Sequence, residues 1–109
     1  MTDEFGIQVG RWENYADADS LPFGAMWCVV PPGSRTDPDS HPELELAVVV
    51  DGAATFESGE TTLDAGQGAA VLLSSHERHV VHNRSDDKPL VMLSIYWLPD
   101  ELGDAGDGP

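Results

Sequence analysis

The sequence predicts an all-β protein that forms a single small domain. Its apolar runs are short and rich in valine, leucine, isoleucine and aromatic residues, and clusters of glycine, proline, aspartate, asparagine and serine separate them. No stretch of ten or more residues carries a convincing 3.6-residue apolar repeat. The 109 residues suffice for one domain that buries a core without disulfides. Together these observations favour an antiparallel sandwich or barrel.

The predicted strands follow one another with tight turns between them. Asp51-Gly52 and Ser58-Gly59 are predicted turns, because glycine supplies the positive φ that hairpin turns need. A closed sheet hides its strand edges, so a closed barrel is expected. Residues 13–20 are predicted as one turn of helix at most, and residues 99–109 as a disordered acidic tail. The predicted strands are 6–12, 24–30, 45–50, 53–58, 60–64, 69–73, 78–83 and 90–97.

The charge balance excludes several classes of partner. Twenty acidic residues stand against five basic ones, which gives a formal net charge of -15, and the basic residues form no stripe. Nucleic acids and anionic membranes attract clustered lysine and arginine, so neither is an expected partner.

The cysteine content and the N-terminal sequence indicate the cellular compartment of the protein. The single cysteine, Cys28, lies in an apolar run, so we expect a buried, inert thiol and no disulfide framework. Residues 1–4 show neither the basic nor the apolar region of a secretory signal, and no segment approaches the ~18 apolar residues of a membrane span. A cytoplasmic protein is the expectation.

Candidate metal ligands concentrate in two segments. In the first, which runs from residue 32 to residue 52, acids and a histidine occupy odd positions: Asp39, His41, Glu43 and Glu45. Alternate residues of an extended chain share one face, so these side chains can point the same way. The second segment, 74–83, holds the other three histidines, His76, His79 and His82. A barrel can bring the two segments together.

At these residues the chain resembles the cupin family. Its first motif is G-x5-H-x-H-x3,4-E-x6-G, and Gly33, Asp39, His41, Glu45 and Gly52 reproduce its spacing, with aspartate at the first histidine. Its second motif is G-x5-P-x-G-x2-H-x3-N, and the chain matches that spacing with serine for proline and histidine for glycine, at Gly68, Ser74, His76, His79 and Asn83. The resemblance implies a cupin, jelly-roll-like antiparallel β-barrel over residues 1–98, with motifs at 33–52 and 68–83.

The resemblance also implies a metal site. By position, His41, Glu45 and His79 are ligands, and Asp39 occupies the place of the fourth. Asp39 either coordinates as a second carboxylate or is too short to reach, which would leave two histidines and one carboxylate, as in a non-haem iron facial triad. Fe(II) or Mn(II) suits this set best, with zinc and nickel as alternatives. Alternatively, the aspartate marks a cupin without metal that uses its barrel as a binding pocket.

Other side chains near the motifs have less specific roles. His76 is a candidate acid or base beside the site, although an exposed loop histidine is the commoner case. His82 has the opposite parity to His79 and is expected on the other strand face. Arg35 and Arg78 are expected near the mouth as partners of neighbouring acids. The aromatic residues Trp27, Phe56, Tyr96 and Trp97 are expected to pack the barrel, with one or two at most lining a pocket.

Two function classes follow from the resemblance. The first is a small metal-dependent enzyme acting on a small organic metabolite, with an oxygenase slightly favoured over an isomerase, cyclase or dehydratase. The second is a non-catalytic ligand-binding or sensor barrel. The family's habit also implies a homodimer formed by barrel edges. Neither the substrate nor the reaction can be read from the sequence, because one fold hosts many chemistries.

Overall fold

The computed structural model describes residues 1–14 and 21–99 and consists of two antiparallel sheets. The larger sheet has the strand order β1-β2-β3-β9-β4-β7, and the smaller has the order β6-β5-β8. A 3-10 turn spans Trp12–Asn14. The strands are β1 Thr2–Glu4, β2 Ile7–Arg11, β3 Gly24–Val30, β4 Leu44–Asp51, β5 Ala53–Ser58, β6 Thr61–Gly66, β7 Ala70–Leu73, β8 Val80–Asn83 and β9 Leu90–Trp97.

The all-β, jelly-roll arrangement that the sequence predicts is confirmed, and the predicted strands fall close to the observed ones. Strand β1 was not predicted, because its sequence Thr2-Asp3-Glu4 has no apolar residue. It nevertheless pairs with β2 in antiparallel register, from Thr2 opposite Val9 to Glu4 opposite Ile7. Pairing with β2 therefore holds this segment in the strand conformation, although its own residues favour that conformation only weakly.

The expectation of full closure was wrong, because the hydrogen bonding of the described residues does not join the two sheets into one barrel. Instead, the chain between β3 and β4 covers the edge of β8. Isolated antiparallel bridges pair Arg35 with His82 and Asp39 with His79. The same segment reaches the larger sheet, where the amide of Asp37 donates to the carbonyl of Phe5 over 2.8 Å. A strand edge can be protected by such a covering segment as well as by closure.

The core lies between the sheets and is packed at one end. Alternation along β4 buries Glu45, Ala47 and Val49 and leaves the intervening side chains partly exposed. The buried side chains of this region are apolar, and they include Val9, Val30, Val49, Leu90 and Phe56. At the other end of the same space, inward-facing positions carry Glu45 and Ser94, and that end holds the candidate site.

Two of the sequence expectations lie outside the described residues. The predicted disordered tail falls almost entirely within 100–109, and most of the predicted helical turn falls within 15–20. In the described ranges, no helix is long and apolar enough to cross a membrane.

Candidate metal centre

His41, Glu45 and His79 place three potential ligand atoms within 4.8 Å of one another. Oε1 of Glu45 lies 3.1 Å from Nε2 of His41 and 3.9 Å from Nε2 of His79. The two imidazole rings meet edge to face, with centroids 5.3 Å apart. His79 and Glu45 are buried, and His41 is partly buried. Two imidazole nitrogens and a carboxylate oxygen at this spacing form a set that a single first-row divalent ion can bind.

Three different parts of the fold supply these side chains. Glu45 is the first buried position of β4, where alternation turns it inward. His41 precedes β4, and its carbonyl accepts a hydrogen bond of 2.7 Å from the amide of His76. His79 comes immediately before β8 and is held by two backbone hydrogen bonds to Asp39. The two motif segments are therefore joined by main-chain hydrogen bonds, as the sequence analysis required.

Both histidine rings are oriented by their second nitrogen. Nδ1 of His41 lies 3.0 Å from the carbonyl oxygen of Glu43, and Nδ1 of His79 lies 3.0 Å from that of Glu77. A carbonyl oxygen only accepts, so each Nδ1 carries the hydrogen, and the lone pair of each neutral ring is on Nε2. These lone pairs face the carboxylate of Glu45. A metal ion between these atoms would be bound by both lone pairs and by the carboxylate.

The other oxygen of Glu45 is bound separately. The hydroxyl of Ser94, which is only 1% exposed, donates to Oε2 over 2.9 Å. Behind it, the thiol of Cys28 lies 3.8 Å from the same hydroxyl. Burial raises the pKa of the Cys28 thiol to about 11, so this side chain is a neutral thiol at physiological pH. The predicted burial of this cysteine is confirmed.

The three residues line a cavity of about 200 Å³ between the sheets. Its wall is mostly apolar, and four acidic residues also line it. A wall of this type excludes water from a bound small molecule, and a few polar groups then determine how that molecule is oriented. The apolar lining residues are Phe5, Ile7, Met26, Val81 and Met92, and the acidic ones besides Glu45 are Asp37, Asp39 and Glu43.

Arg11 and Tyr96 form a second polar group in the cavity wall. Glu4 accepts hydrogen bonds of 3.1 and 2.7 Å from Nε and Nη2 of Arg11, and Nη1 donates to the hydroxyl of Tyr96 over 3.0 Å. The Arg11 hydrogen bond lowers the pKa of Glu4, and burial raises that of Tyr96. The Tyr96 ring lies over Gly24, where a Cβ would come within 2.2 Å of it. Because Arg11 donates to the Tyr96 hydroxyl, the hydroxyl's own proton is available to a group in the cavity.

Asp39 and Glu43 line the same cavity, so the four odd-numbered side chains do face one space. Asp39 stands outside the cluster that His41, Glu45 and His79 form, and its role as a fourth ligand stays a prediction. The side chain of Glu43 is 33% exposed, and it approaches His41 at Nδ1, the nitrogen turned away from Glu45. Glu45, which the motif spacing selects, is the carboxylate that faces both histidines.

The cavity contains polar residues that the sequence analysis missed. Arg35 and Arg78 are exposed and do not line it, whereas Arg11 does. Arg11 shares parity with the buried Ile7 and Val9 of β2, which would have indicated an inward side chain. Ser94 likewise shares parity with Leu90 and Met92. A polar residue at an inward position of an apolar strand was the available signal in both cases.

A family model described as the cupin domain matches residues 26–96, which is more than half of the chain. The chain belongs to the cupin family. No curated protein matches it.

Several solved structures share this fold. A Cupin 2 conserved barrel domain protein from Salinispora arenicola is 24% identical, with a TM-score of 0.76 over 93% of this chain and 83% of that one. The plu4264 protein from Photorhabdus luminescens is 23% identical, with a TM-score of 0.82 over 95% and 85%. A Thermotoga maritima protein described as a predicted oxalate decarboxylase is 18% identical, with a TM-score of 0.72 over 84% and 80%.

In this cupin the last residue of the second motif holds loops together. Asn83 is buried, and its amide nitrogen lies 3.0, 3.2 and 2.8 Å from the carbonyl oxygens of Val30, Pro31 and Lys88. Its Oδ1 accepts from the amide of Ser85 over 2.9 Å. Asn83 therefore fixes the ends of two strands and takes no part in the ligand cluster.

His76 and His82 lie away from the cluster of His41, Glu45 and His79. His76 occupies the motif's glycine position and keeps the positive φ, 63°, that this turn demands. Its side chain is exposed and does not line the cavity. Nε2 of His82 lies 2.7 Å from Oε1 of Glu57, on the smaller sheet. The structure thus places His82 on the strand face opposite His79, and it offers no contact for His76 as an acid or base.

Proposed function

We propose that this cupin is a metal-dependent enzyme that uses one divalent ion, held by His41, Glu45 and His79, to act on a small organic molecule in the adjoining cavity. The observation that carries the proposal is the orientation of the two rings. Both Nδ1 atoms are bound to backbone carbonyls, so both Nε2 lone pairs converge on Glu45. Such fixed orientation is the usual companion of metal ligation by histidine.

The donor set fits a two-histidine, one-carboxylate site with open positions. Fe(II) and Mn(II) are the favoured ions, because nitrogen and oxygen donors without thiolate suit them, and zinc and nickel are alternatives. If the Asp39 carboxylate joins the set, it raises the negative charge of the site and favours the harder ions further. A bound ion of this kind supplies a Lewis acid for substrate oxygens. An oxygenase is slightly favoured over an isomerase, cyclase or dehydratase because the ligand set resembles a non-haem iron triad.

The chain's own residues would bind and shield the substrate. The apolar wall excludes water, and Ser94 keeps one carboxylate oxygen of Glu45 directed away from the histidines. Tyr96 and Arg11, which also line the cavity, offer O–H and N–H donors to a substrate oxygen. These donors would orient a carbonyl or hydroxyl group before any chemistry takes place.

The charge of the cavity favours a substrate with little negative charge. Four carboxylates line it against one guanidinium, which Glu4 already neutralises. A divalent ion offsets only part of this negative charge. A dianion such as oxalate, suggested by the name of the Thermotoga maritima protein, would meet repulsion from Asp37, Asp39 and Glu43 in the cavity lining.

The test is whether the site binds a metal and leaves a coordination position open. The protein is stripped with a chelator, reloaded with Fe(II) without oxygen, and exposed to nitric oxide. We expect the electron paramagnetic resonance signal of a high-spin iron nitrosyl in the wild type. His79→Ala should lose the signal, and His82→Ala, which changes a histidine outside the cluster, should keep it. A wild type that binds iron but gives no nitrosyl signal would contradict the enzyme.

The alternative is a non-catalytic ligand-binding barrel, favoured by the largely apolar wall of the cavity. This alternative predicts that chelators and His79→Ala leave ligand binding unchanged, since an apolar pocket needs no ion. Binding of a hydrophobic fluorescent probe, measured with and without chelator, separates the two functions.

A further inference from the structure

The cavity keeps a negative charge even when a divalent ion is bound. Four carboxylates line it, and the ion would offset two of their charges. The one guanidinium in the lining, that of Arg11, is already paired with Glu4 over 2.7 Å. Two negative charges of the lining therefore remain without a counter-charge. A partly enclosed space with this charge attracts cations and repels anions.

Asp37 and Asp39 carry the two lining carboxylates that no basic side chain offsets. Glu43 and Glu45 each approach a nitrogen of His41, whereas neither aspartate forms an ion pair with any described residue. All five basic residues and all four histidines of the chain lie within the described ranges, 1–14 and 21–99. The counter-charge for the two aspartates therefore has to come from a bound molecule or from solvent ions.

The turn between β1 and β2 brings an aromatic residue and Asp37 together at the cavity. The carbonyl of Phe5 accepts a hydrogen bond of 2.8 Å from the amide of Asp37. The carboxylate of Asp37 lies against Gly6, where a Cβ would come within 3.1 Å of Oδ1. Both Phe5 and Asp37 line the cavity. Ammonium groups are attracted by carboxylates and by aromatic faces, so this corner has the chemistry that binds one.

Thr36 leaves a buried hydroxyl hydrogen for a bound molecule. Thr36 is 8% exposed and lines the cavity. Its Oγ1 accepts from the amide of Val81 over 2.9 Å, and its own amide donates to the carbonyl of Val81 over 2.9 Å. Among the described residues, no acceptor takes the hydrogen of this hydroxyl. A buried donor without an acceptor costs free energy, and an oxygen atom of a bound molecule would satisfy it.

We propose that the substrate is a small amine that also carries a hydroxyl or carbonyl oxygen. Its ammonium group lies at Asp37 and Asp39, and its oxygen accepts from Thr36. This inference rests on the proposed function, because it names the substrate class of the same cavity. The apolar part of the molecule packs against the mostly apolar wall. A benzene ring fills an apolar cavity of about 150 Å³, so the cavity of about 200 Å³ has room for a ring with a short polar chain.

The test compares three probes that differ in one group. Phenylethanolamine carries an ammonium group at neutral pH, phenylethanediol has a neutral hydroxyl in its place, and phenethylamine keeps the ammonium group but lacks the hydroxyl. Isothermal titration calorimetry measures each Kd on the zinc-loaded full chain. We expect phenylethanolamine to bind about 10-fold more tightly than phenylethanediol, because it forms a charge-assisted hydrogen bond. It should bind about 5-fold more tightly than phenethylamine, which leaves the Thr36 hydroxyl without an acceptor.

Variants test the place of the ammonium group. Asp37→Asn should weaken the binding of phenylethanolamine by about 10-fold and leave that of phenylethanediol nearly unchanged. Asp64→Asn removes the same charge on β6 of the other sheet, so it is the matched control and should bind all three probes as the wild type does. Phe5→Leu keeps an apolar side chain and loses the aromatic face, so it should weaken the binding of the two amines by about 3-fold.

The same titrations on metal-free protein separate this inference from the proposed function. Without the ion, all four lining carboxylates are unopposed by a metal charge, so the preference for phenylethanolamine over phenylethanediol should increase. This comparison needs no metal site. The inference would be overturned if phenylethanolamine bound no more tightly than phenylethanediol, if it did not bind at about 10 mM, or if Asp37→Asn kept the full preference.

Discussion

The hydroxyl of Ser94 on β9 donates to Oε2 of Glu45 on β4, so that Oε1 alone faces the two histidines. This bond fixes the carboxylate across two neighbouring strands of the larger sheet. It also satisfies a buried oxygen that would otherwise lose its hydration without compensation. Ser94 is thus a positioning residue for the proposed metal ligand.

Replacing Ser94 with alanine should lower metal affinity while the fold is kept. We expect a loss of about 10- to 100-fold, because removal of a partner that orients a ligand typically costs this much. Metal titration of Ser94→Ala against the wild type measures it. Ser58→Ala, on a strand of the other sheet, is the matched control. Equal affinities in all three proteins would show that Ser94 does not position Glu45.

Gly24 should not tolerate a side chain, because Tyr96 occupies the space. A Cβ at Gly24 would lie 2.2 Å from one carbon of the Tyr96 ring, whereas a Cβ at Gly66 would meet nothing within 4 Å. Gly24→Ala must displace the ring and its hydrogen bond to Arg11, at a cost of about 1–3 kcal/mol in the free energy of unfolding. Gly66→Ala should be neutral or slightly stabilising. Urea denaturation of both variants tests this difference, and similar stabilities would contradict it.

Asn83→Asp should destabilise the protein at neutral pH by about 3 kcal/mol or more, because a buried carboxylate would then face carbonyl oxygens. The amide of Asn83 donates to those oxygens, which belong to Val30, Pro31 and Lys88. Below about pH 4 the aspartic acid regains a proton to donate, so part of the loss relative to the wild type should be recovered. Denaturation at both pH values measures it. A variant as stable as the wild type at neutral pH would show that Asn83 is dispensable.

The Cys28 thiol should resist ionisation and modification in the folded protein. Burial raises its pKa from 9.0 to about 11. A raised folded pKa stabilises the protein below the unfolded pKa, and this contribution is lost as the pH rises from about 9 through about 11. The free energy of unfolding should fall over this range in the wild type and fall less in Cys28→Ala. Rapid reaction of the native protein with a thiol reagent at pH 8 would contradict the buried position.

The sequence predicted the strands and the clustering of His41, Glu45 and His79, because local sequence patterns indicate both. Alternating apolar residues define strands such as β3 and β9, and motif spacing selects His41, Glu45 and His79. Glu43 shows the limit of parity alone, since it shares the parity of Glu45 yet approaches the other side of the His41 ring. The bend before β4 places Glu43 near Nδ1 of His41 and Glu45 near its Nε2.

Features that depend on pairing between distant residues could not be predicted in the same way. Arg11 and Tyr96 are 85 positions apart and meet only because β2 and β9 flank β3. The open barrel could not be predicted from the sequence either. It depends on the segment between β3 and β4, which covers the edge of β8 through isolated bridges and not as a paired strand. The ligand role of Asp39 stays a prediction for the same reason, since its contribution depends on where an ion would lie.

Metal content tests the central claim most directly. Protein purified without a histidine tag is analysed for iron, manganese, nickel and zinc, before and after reconstitution, in the wild type, His79→Ala and His82→Ala. We predict near-stoichiometric metal in the wild type and in His82→Ala, and its loss in His79→Ala. A wild type that stays free of metal after reconstitution, or unchanged metal in His79→Ala, would contradict a metal site at His41, Glu45 and His79.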